Sequence, residues 1–161
     1  MKPYLLGIDI GTSACKVAVF EKSGTVVAAA NGDYPVYYPK EGWAEQDPEE
    51  WWSAVCQAVK KAIQKAGIAP EEIAGIGIDG QSWSAIAMDK DGNVLTNTPI
   101  WMDTRAQSIC DRLNKEIGAE QIFEVSGNSL QPSYTTAKIL WYKENLPEVY
   151  QRINKILQSK S

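Results

Sequence analysis

The chain has 161 residues, 44% hydrophobic and 22% charged, a composition that suits one globular domain with a real core. Its formal net charge of −4 lacks the clustered Lys and Arg of a nucleic-acid binder, and no apolar run approaches the roughly 20 residues of a membrane span. Cys15, Cys56 and Cys110 are far apart with no CxxC spacing and histidine is absent, which argues for reduced thiols in a cytoplasmic protein and against zinc sites or His-based nucleophilic catalysis.

The start, Met1-Lys2-Pro3-Tyr4, leads into an apolar run, Tyr4 to Ile8, that reads as a strand ending at Asp9 and lacks the longer stretch and cleavage site of a signal peptide. Val17 to Phe20 is a second strand. Lys22-Ser23-Gly24 is a hairpin turn into a third, Val26 to Ala30, so three antiparallel strands in sequence are expected. Residues 33–47 are irregular, interrupted by Pro35, Pro39 and Gly42. A helix then starts with Asp47 as N-cap, Pro48 at the first helical position and Glu50 at capping-box spacing. Trp52, Val55, Val59, Ala62, Ile63 and Ala66 predict its apolar stripe, and Gly67 its stop. Ile73 to Ile78 reads as a buried strand ending at Asp79-Gly80-Gln81, and Trp83 to Met88 as another, followed by the turn Lys90-Asp91-Gly92-Asn93. Beyond Arg105 helices are expected over 105–117, 119–125 and 134–145, with Pro147 opening one more. Hairpins together with a strand–helix–strand unit point to an α/β layered domain.

One turn carries chemistry. Asp9-x-Gly11-Thr12-x-x-x-Lys16 places a carboxylate at the end of a buried strand just before a tight turn. Glycine lets a polyphosphate approach the backbone, the Thr12 and Ser13 hydroxyls add donors, and Lys16 adds positive charge. Asp9 suits a Mg²⁺ ion held partly through water. No GxxxxGK[ST] is present, so this is not a P-loop. Taken alone, the same residues also suit a plain hairpin turn.

The remaining motifs favour the phosphate reading. Asp9-Ile10-Gly11-Thr12-Ser13 resembles the first phosphate motif of the sugar kinase and actin superfamily. Trp43-Ala44-Glu45-Gln46-Asp47-Pro48-Glu49-Glu50-Trp51-Trp52 resembles the stretch before the first helix of the FGGY carbohydrate kinases. Gly75-Ile76-Gly77-Ile78-Asp79-Gly80-Gln81, Trp101-Met102-Asp103-Thr104-Arg105, Gly127-Asn128 and Tyr134-Thr135-Thr136-Ala137-Lys138-Ile139-Leu140-Trp141 resemble further landmarks of that family, in an order most similar to its xylulokinases.

The resemblance implies a ribonuclease-H-like (actin-like ATPase) α/β fold, a mixed sheet flanked by helices. It implies a kinase that uses ATP and Mg²⁺ to phosphorylate a small-molecule sugar, D-xylulose in first place. Gly11, Thr12, Ser13 and Lys16 would face the ATP phosphates, with Asp9 on the metal. The sugar would lie across the same cleft against Gln81, Ser82 and Trp83, with Asp103 and Arg105 offering a carboxylate and a donor fork to vicinal hydroxyls. The alternative for Asp103 and Arg105 is a surface ion pair that holds the start of the next helix. Xylulokinases carry Met-His-Gly where this chain has Ser82-Trp83-Ser84, and Trp83 can stack on a sugar face but cannot repeat an imidazole's hydrogen bonds. Asp79 stands where ribulokinase-like members often have Asp, making it a further substrate candidate, or it caps the following turn. A ribulokinase or another polyol kinase is therefore the alternative, and a non-catalytic sugar-binding or actin-like structural protein is a second. Family members are far longer. The resemblance thus implies that residues 1–161 are the N-terminal part of domain I, that the catalytic base and the nucleotide-binding domain lie outside them, and that they show no turnover alone. A half domain would expose an apolar edge, so a homodimer or other self-association is expected.

Overall fold

The computed structural model describes residues 3–161; Met1 and Lys2 of the opening segment lie outside the described residues. The chain begins with β1 (Tyr4–Ile10), β2 (Ala14–Glu21), β3 (Val26–Asp33), β4 (Glu45–Gln46), α1 (Pro48–Ala66) and β5 (Ile73–Gly80). It continues with β6 (Ile86–Met88), β7 (Thr98–Pro99), α2 (Gln107–Leu113), a π-helical turn (Asn114–Gly118) and α3 (Ala119–Ser126). Last come α4 (Thr135–Asn145), α5 (Pro147–Tyr150) and β8 (Lys155–Leu157). It divides into two compact units. The first holds the segment ending at Val36, Pro48–Gln81 and Lys160; the second holds Tyr37–Asp47, Ser82–Ser159 and Ser161.

In the first unit a mixed sheet has the order β3-β2-β1-β5. The β1–β2 and β2–β3 pairs are antiparallel hairpins, and β1–β5 is parallel, the chain returning from β3 to β5 by way of α1. Strand alternation puts Leu6, Ile8, Ile10, Cys15, Val17, Val19 and Ala30 into the core. Against them α1 buries Trp51, Ala54, Val55, Ala58 and Ala62. The small residues let helix and sheet close up. A Cβ on Gly32 would stand only 2.9 Å from the Ala54 carbonyl oxygen, so β3 requires glycine there. Gly67 ends the helix at φ 65°, as its sequence position predicts.

Two expectations are corrected here. Trp52 does not join the core: it is 66% exposed while Trp51 is 3% exposed. Consecutive helix positions point about 100° apart, so only one of the pair can face the sheet, and the alanine stripe selects Trp51. The run Ile73 to Ile78 is not a buried strand either, since β5 lies at the sheet edge with Ile76 61% and Ile78 52% exposed. An apolar run is buried only where both faces are covered.

The second unit pairs β4 with β7 and β6 with β8, both antiparallel, beside the remaining helices. Its core gathers Ala85, Ala87, Ala106, Ile109, Cys110, Ala137, Trp141 and Tyr142. The Tyr142 hydroxyl reaches the Ala85 carbonyl at 3.0 Å. The strand expected from Trp83 forms only from Ile86, because Trp83 takes a left-handed φ of 64°. No helix among the described residues is long and apolar enough to cross a membrane.

Candidate active site

In the first unit the β1–β2 turn is tightly closed. The Gly11 N–H donates to the Ala14 carbonyl at 3.1 Å, and a Cβ on Gly11 would meet that same oxygen at 3.1 Å. Gly11 therefore carries the shape of the turn. Its carbonyl accepts from the Tyr34 hydroxyl at 2.6 Å and from the Gln81 side-chain amide at 3.4 Å. The Gln81 N–H continues the β1–β5 pairing to Ile10 at 2.8 Å. Ser13 and Lys16 are exposed and Thr12 is half-buried, so the turn offers the Ser13 hydroxyl and the Lys16 cation outward.

The register aligns the charges. Asp9 is the Cα partner of both Lys16 and Asp79, and Lys16 is the partner of Asn31. One rung of the sheet thus reads Asn31, Lys16, Asp9, Asp79, with neighbours about 4.8 Å apart strand to strand and all on the face opposite α1. These four line an open concavity of about 870 Å³ floored by Gly7, Ala18, Ala29 and Gly77. Asp79 also takes its own following N–H, from Gly80, at 2.8 Å, and the Lys160 ammonium at 3.2 Å. Those bonds hold its carboxyl below the usual range, first the Gly80 bond and then Lys160. Beneath the turn, burial pushes the Cys15 thiol up to about 11, and the Asp9 charge adds to the rise.

The other expected site residues fall in the second unit. Ser82 and Trp83 are exposed, Trp83 by 44%, and the Trp83 indole lies 4.8 Å from the Tyr134 ring at a 44° tilt. Asp103 and Arg105 are internal. Asp103 is fully buried and accepts from the Ala44 N–H at 2.7 Å, the Arg105 N–H at 3.0 Å and the Arg105 Nε at 2.9 Å. The Arg105 guanidinium extends to Glu45 at 2.8 Å and lies 3.8 Å from the Trp43 ring centre. A sugar hydroxyl reaching either residue would have to displace these partners. The pair is buried, whereas the ion-pair alternative expected it at the surface. Trp101, just ahead of that pair, is 42% exposed.

Sequence reasoning passed over Tyr34, and it named Tyr134 and Lys138 only within a family motif, with no role for either. Lys138 is fully buried on α4, its ammonium donating to the carbonyls of Trp83 and Ile100 at 2.7 Å each. A charge on the same 3–4 spaced stripe as Tyr134, Trp141 and Tyr142 was the available signal. Nothing local marks Tyr34, which acts through a contact 23 positions away.

Residues 4–161 match the N-terminal domain of the FGGY family of carbohydrate kinases. The chain belongs to that family. It is 37% identical over 153 residues to glycerol kinase 2 of Thermotoga maritima, covering 94% of this chain and 31% of that one. Among solved structures, ligand-bound xylulose kinase from Lactobacillus acidophilus superposes with a TM-score of 0.89 at 32% identity, over 97% of this chain and 31% of that one. Plasmodium falciparum glycerol kinase with ADP superposes with a TM-score of 0.83 at 25% identity, over 92% of this chain and 30% of that one. This FGGY chain therefore spans under a third of the length of these relatives, and its mixed sheet flanked by helices is the sugar-kinase fold.

Proposed function

We propose that this chain is the N-terminal part of domain I of an ATP-dependent carbohydrate kinase and carries one phosphate subsite and one acceptor subsite. The observation that carries the reading is the rung Asn31, Lys16, Asp9, Asp79 beside the closed Gly11 turn. Ser13 and Thr12 would donate to phosphate oxygens, and Lys16 would balance their charge. Asp9, with Asp79 one strand away, gives a sparse carboxylate set. No cluster of three or more metal-ligating side chains occurs among the described residues. That set fits Mg²⁺, which keeps its waters and shares phosphate oxygens, better than a metal caged by protein alone. Asp9 would hold the ion through water, and the bound ion supplies charge neutralisation at the transferring phosphoryl group.

For the acceptor, Trp83, Tyr134 and Trp101 offer aromatic surface to the C–H face of a polyol, and Ser82 offers a polar contact. Asp103 and Arg105 would act by framing the loop that bears Trp101. D-xylulose is the acceptor put first. Glycerol is the second reading, favoured by the 37% identity to a glycerol kinase. No residue of this chain is assigned as the base that takes the hydroxyl proton, and a cytoplasmic setting accords with the reduced thiols.

The test is to express the complete reading frame and assay it with Mg-ATP against D-xylulose, D-ribulose, L-ribulose and glycerol. Phosphorylation of one of them is expected, with Asp9→Asn lowering kcat by roughly 100-fold or more. Silence on all four, or full activity in Asp9→Asn, would overturn the proposal.

A further inference from the structure

Two loop carbonyls, those of Trp83 and Ile100, accept from one buried side chain, and the Ile100 carbonyl also takes the Asp103 N–H of its own turn at 3.0 Å. Trp83 is the one non-glycine residue among the described residues with positive φ, at 64°. Such a conformation persists only where its surroundings over-determine it. What surrounds it is Lys138. The side chain leaves α4, is fully buried, and divides its N–H bonds between the Trp83 and Ile100 carbonyls at 2.7 Å each. An ammonium is an expensive way to satisfy two carbonyls, since burying it removes a strongly hydrated ion from water. It does one thing an apolar side chain cannot: from a rigid helix it fixes two separate loops relative to each other.

The residues so fixed matter. Trp83 itself is 44% exposed and leans on Tyr134, the residue just before α4 and four before Lys138; Trp101, which follows Ile100, is 42% exposed. Tyr134 is the extended residue immediately before α4, so its ring enters at the same end of the helix as the ammonium. The Trp83–Tyr134 pair and the backbone that leads into Trp101 are thus tied to the first turn of one helix.

We propose that Lys138 is a positioning residue for acceptor recognition, its ammonium holding the Trp83 and Ile100 carbonyls so that the Trp83, Tyr134 and Trp101 rings form one preset apolar wall. This rests on the reading of those rings as the acceptor subsite. Lys138 touches no substrate; it acts through the backbone it grips. Preset rings bind without the ordering cost that loose aromatic loops pay, so its loss falls on acceptor binding and leaves ATP binding in place.

The experiment uses the product of the complete reading frame with Lys138→Met, Lys138→Arg and Trp83→Phe. Trp83→Phe identifies the near-ultraviolet circular dichroism band of the Trp83–Tyr134 pair. Support would be loss of that band in Lys138→Met, an acceptor KM raised by roughly tenfold or more with the ATP KM within about twofold, and partial recovery of both in Lys138→Arg. An unchanged band and acceptor KM, or a lowered Tm with both KM values moving together, would overturn the proposal and leave Lys138 as a satisfier of carbonyls. If Lys138→Met does not fold, Lys138→Gln, which keeps a donor, is read by the same criteria. If the wild type phosphorylates none of D-xylulose, D-ribulose, L-ribulose and glycerol, the functional reading fails. The band then decides the positioning claim alone, its retention in Lys138→Met overturning it.

Discussion

The Tyr34 hydroxyl donates a 2.6 Å hydrogen bond to the Gly11 carbonyl, fastening the backbone just after β3 to the turn between β1 and β2. The Tyr34 N–H also reaches the Ser13 carbonyl at 3.4 Å, and its ring packs 6.4 Å from Trp51. Burial pushes the phenol well above the ordinary tyrosine range, so it remains a donor at any working pH. Tyr34→Phe keeps the ring against Trp51 and removes only the donor. It is expected to cost about 1–2 kcal/mol in urea unfolding and to raise the ATP KM of the complete kinase. Stability and ATP KM both at wild-type values would show that the turn stands without this tether.

The phase of α1 makes a paired prediction. Trp51 faces the sheet beside Ala54, Val55, Ala58 and Ala62, whereas Trp52 is turned to solvent. Trp51→Ala is expected to cost about 3–5 kcal/mol by emptying core volume. Trp52→Ala should stay within about 0.5 kcal/mol. Equal losses by chemical denaturation would mean that the helix is rotated from the position described.

Much of this was legible in sequence because local chemistry and global fold agree. The Asp9–Lys16 turn, Pro48 at the head of α1 and Gly67 past its end each carry a local signal that packing leaves intact. Trp52 misled because both tryptophans continue an apolar stripe, and the choice between them is made by the small residues beneath the helix. Ile76 and Ile78 misled because an apolar run does not say how many of its faces are covered. Asp103 and Arg105 read as hydroxyl-binding groups because two charges one residue apart look the same whether they serve a ligand or each other. Only Ala44, Glu45 and Trp43, brought from 60 or so positions away, reveal that they are internal.

That internal cluster sets the third prediction. Asp103 is fully buried, Arg105 pairs with it at 2.8 Å, and the Arg105 side chain is 3% exposed. Removing one partner leaves the other charge buried and uncompensated. Asp103→Ala is expected to cost about 3–5 kcal/mol, far more than an exposed pair such as Lys90–Asp91 would. Arg105→Lys should also be damaging, because an ammonium cannot serve Asp103 and Glu45 in the plane of a fork while stacking on Trp43. Urea midpoints of the three variants against wild type decide it, and a Lys90→Ala midpoint shifted as far as that of Asp103→Ala would contradict the ranking.

Cysteine reactivity gives a fourth test. Cys15 and Cys110 are buried, and burial raises both thiols above their ordinary value, Cys15 to about 11. Cys56 is only half-buried on α1. Iodoacetamide at neutral pH should therefore label Cys56 in the native protein and reach Cys15 and Cys110 only after unfolding. Peptide mass mapping reads the order directly, and native labelling of Cys15 would show that the turn above it opens readily.

Lys138 gives the last prediction, through pH. Burial holds its ammonium down to about 7, with the Asp103 charge pulling it up and Arg105 pushing it further down. In the unfolded chain the same lysine stays protonated to its ordinary value of 10.5. Above pH 7 the unfolded state therefore binds the extra proton, and stability must rise with pH. The neutral amine still has two N–H donors, enough for both carbonyls, so the bridge survives its own deprotonation. The opposing groups act later: the Cys15 and Cys110 thiols, raised in the folded state, begin to lower stability only as unfolded thiols ionise towards their ordinary 9.0. Tyr34 and Tyr142 follow near their ordinary 10.0. The clean window is thus from about pH 7 to 8.5, where wild type should gain roughly 2 kcal/mol. Lys138→Met should be nearly flat across that window. Urea unfolding at intervals of pH measures both slopes. A wild-type curve as flat as that of Lys138→Met would show that the two carbonyls and Asp103 keep the buried ammonium charged.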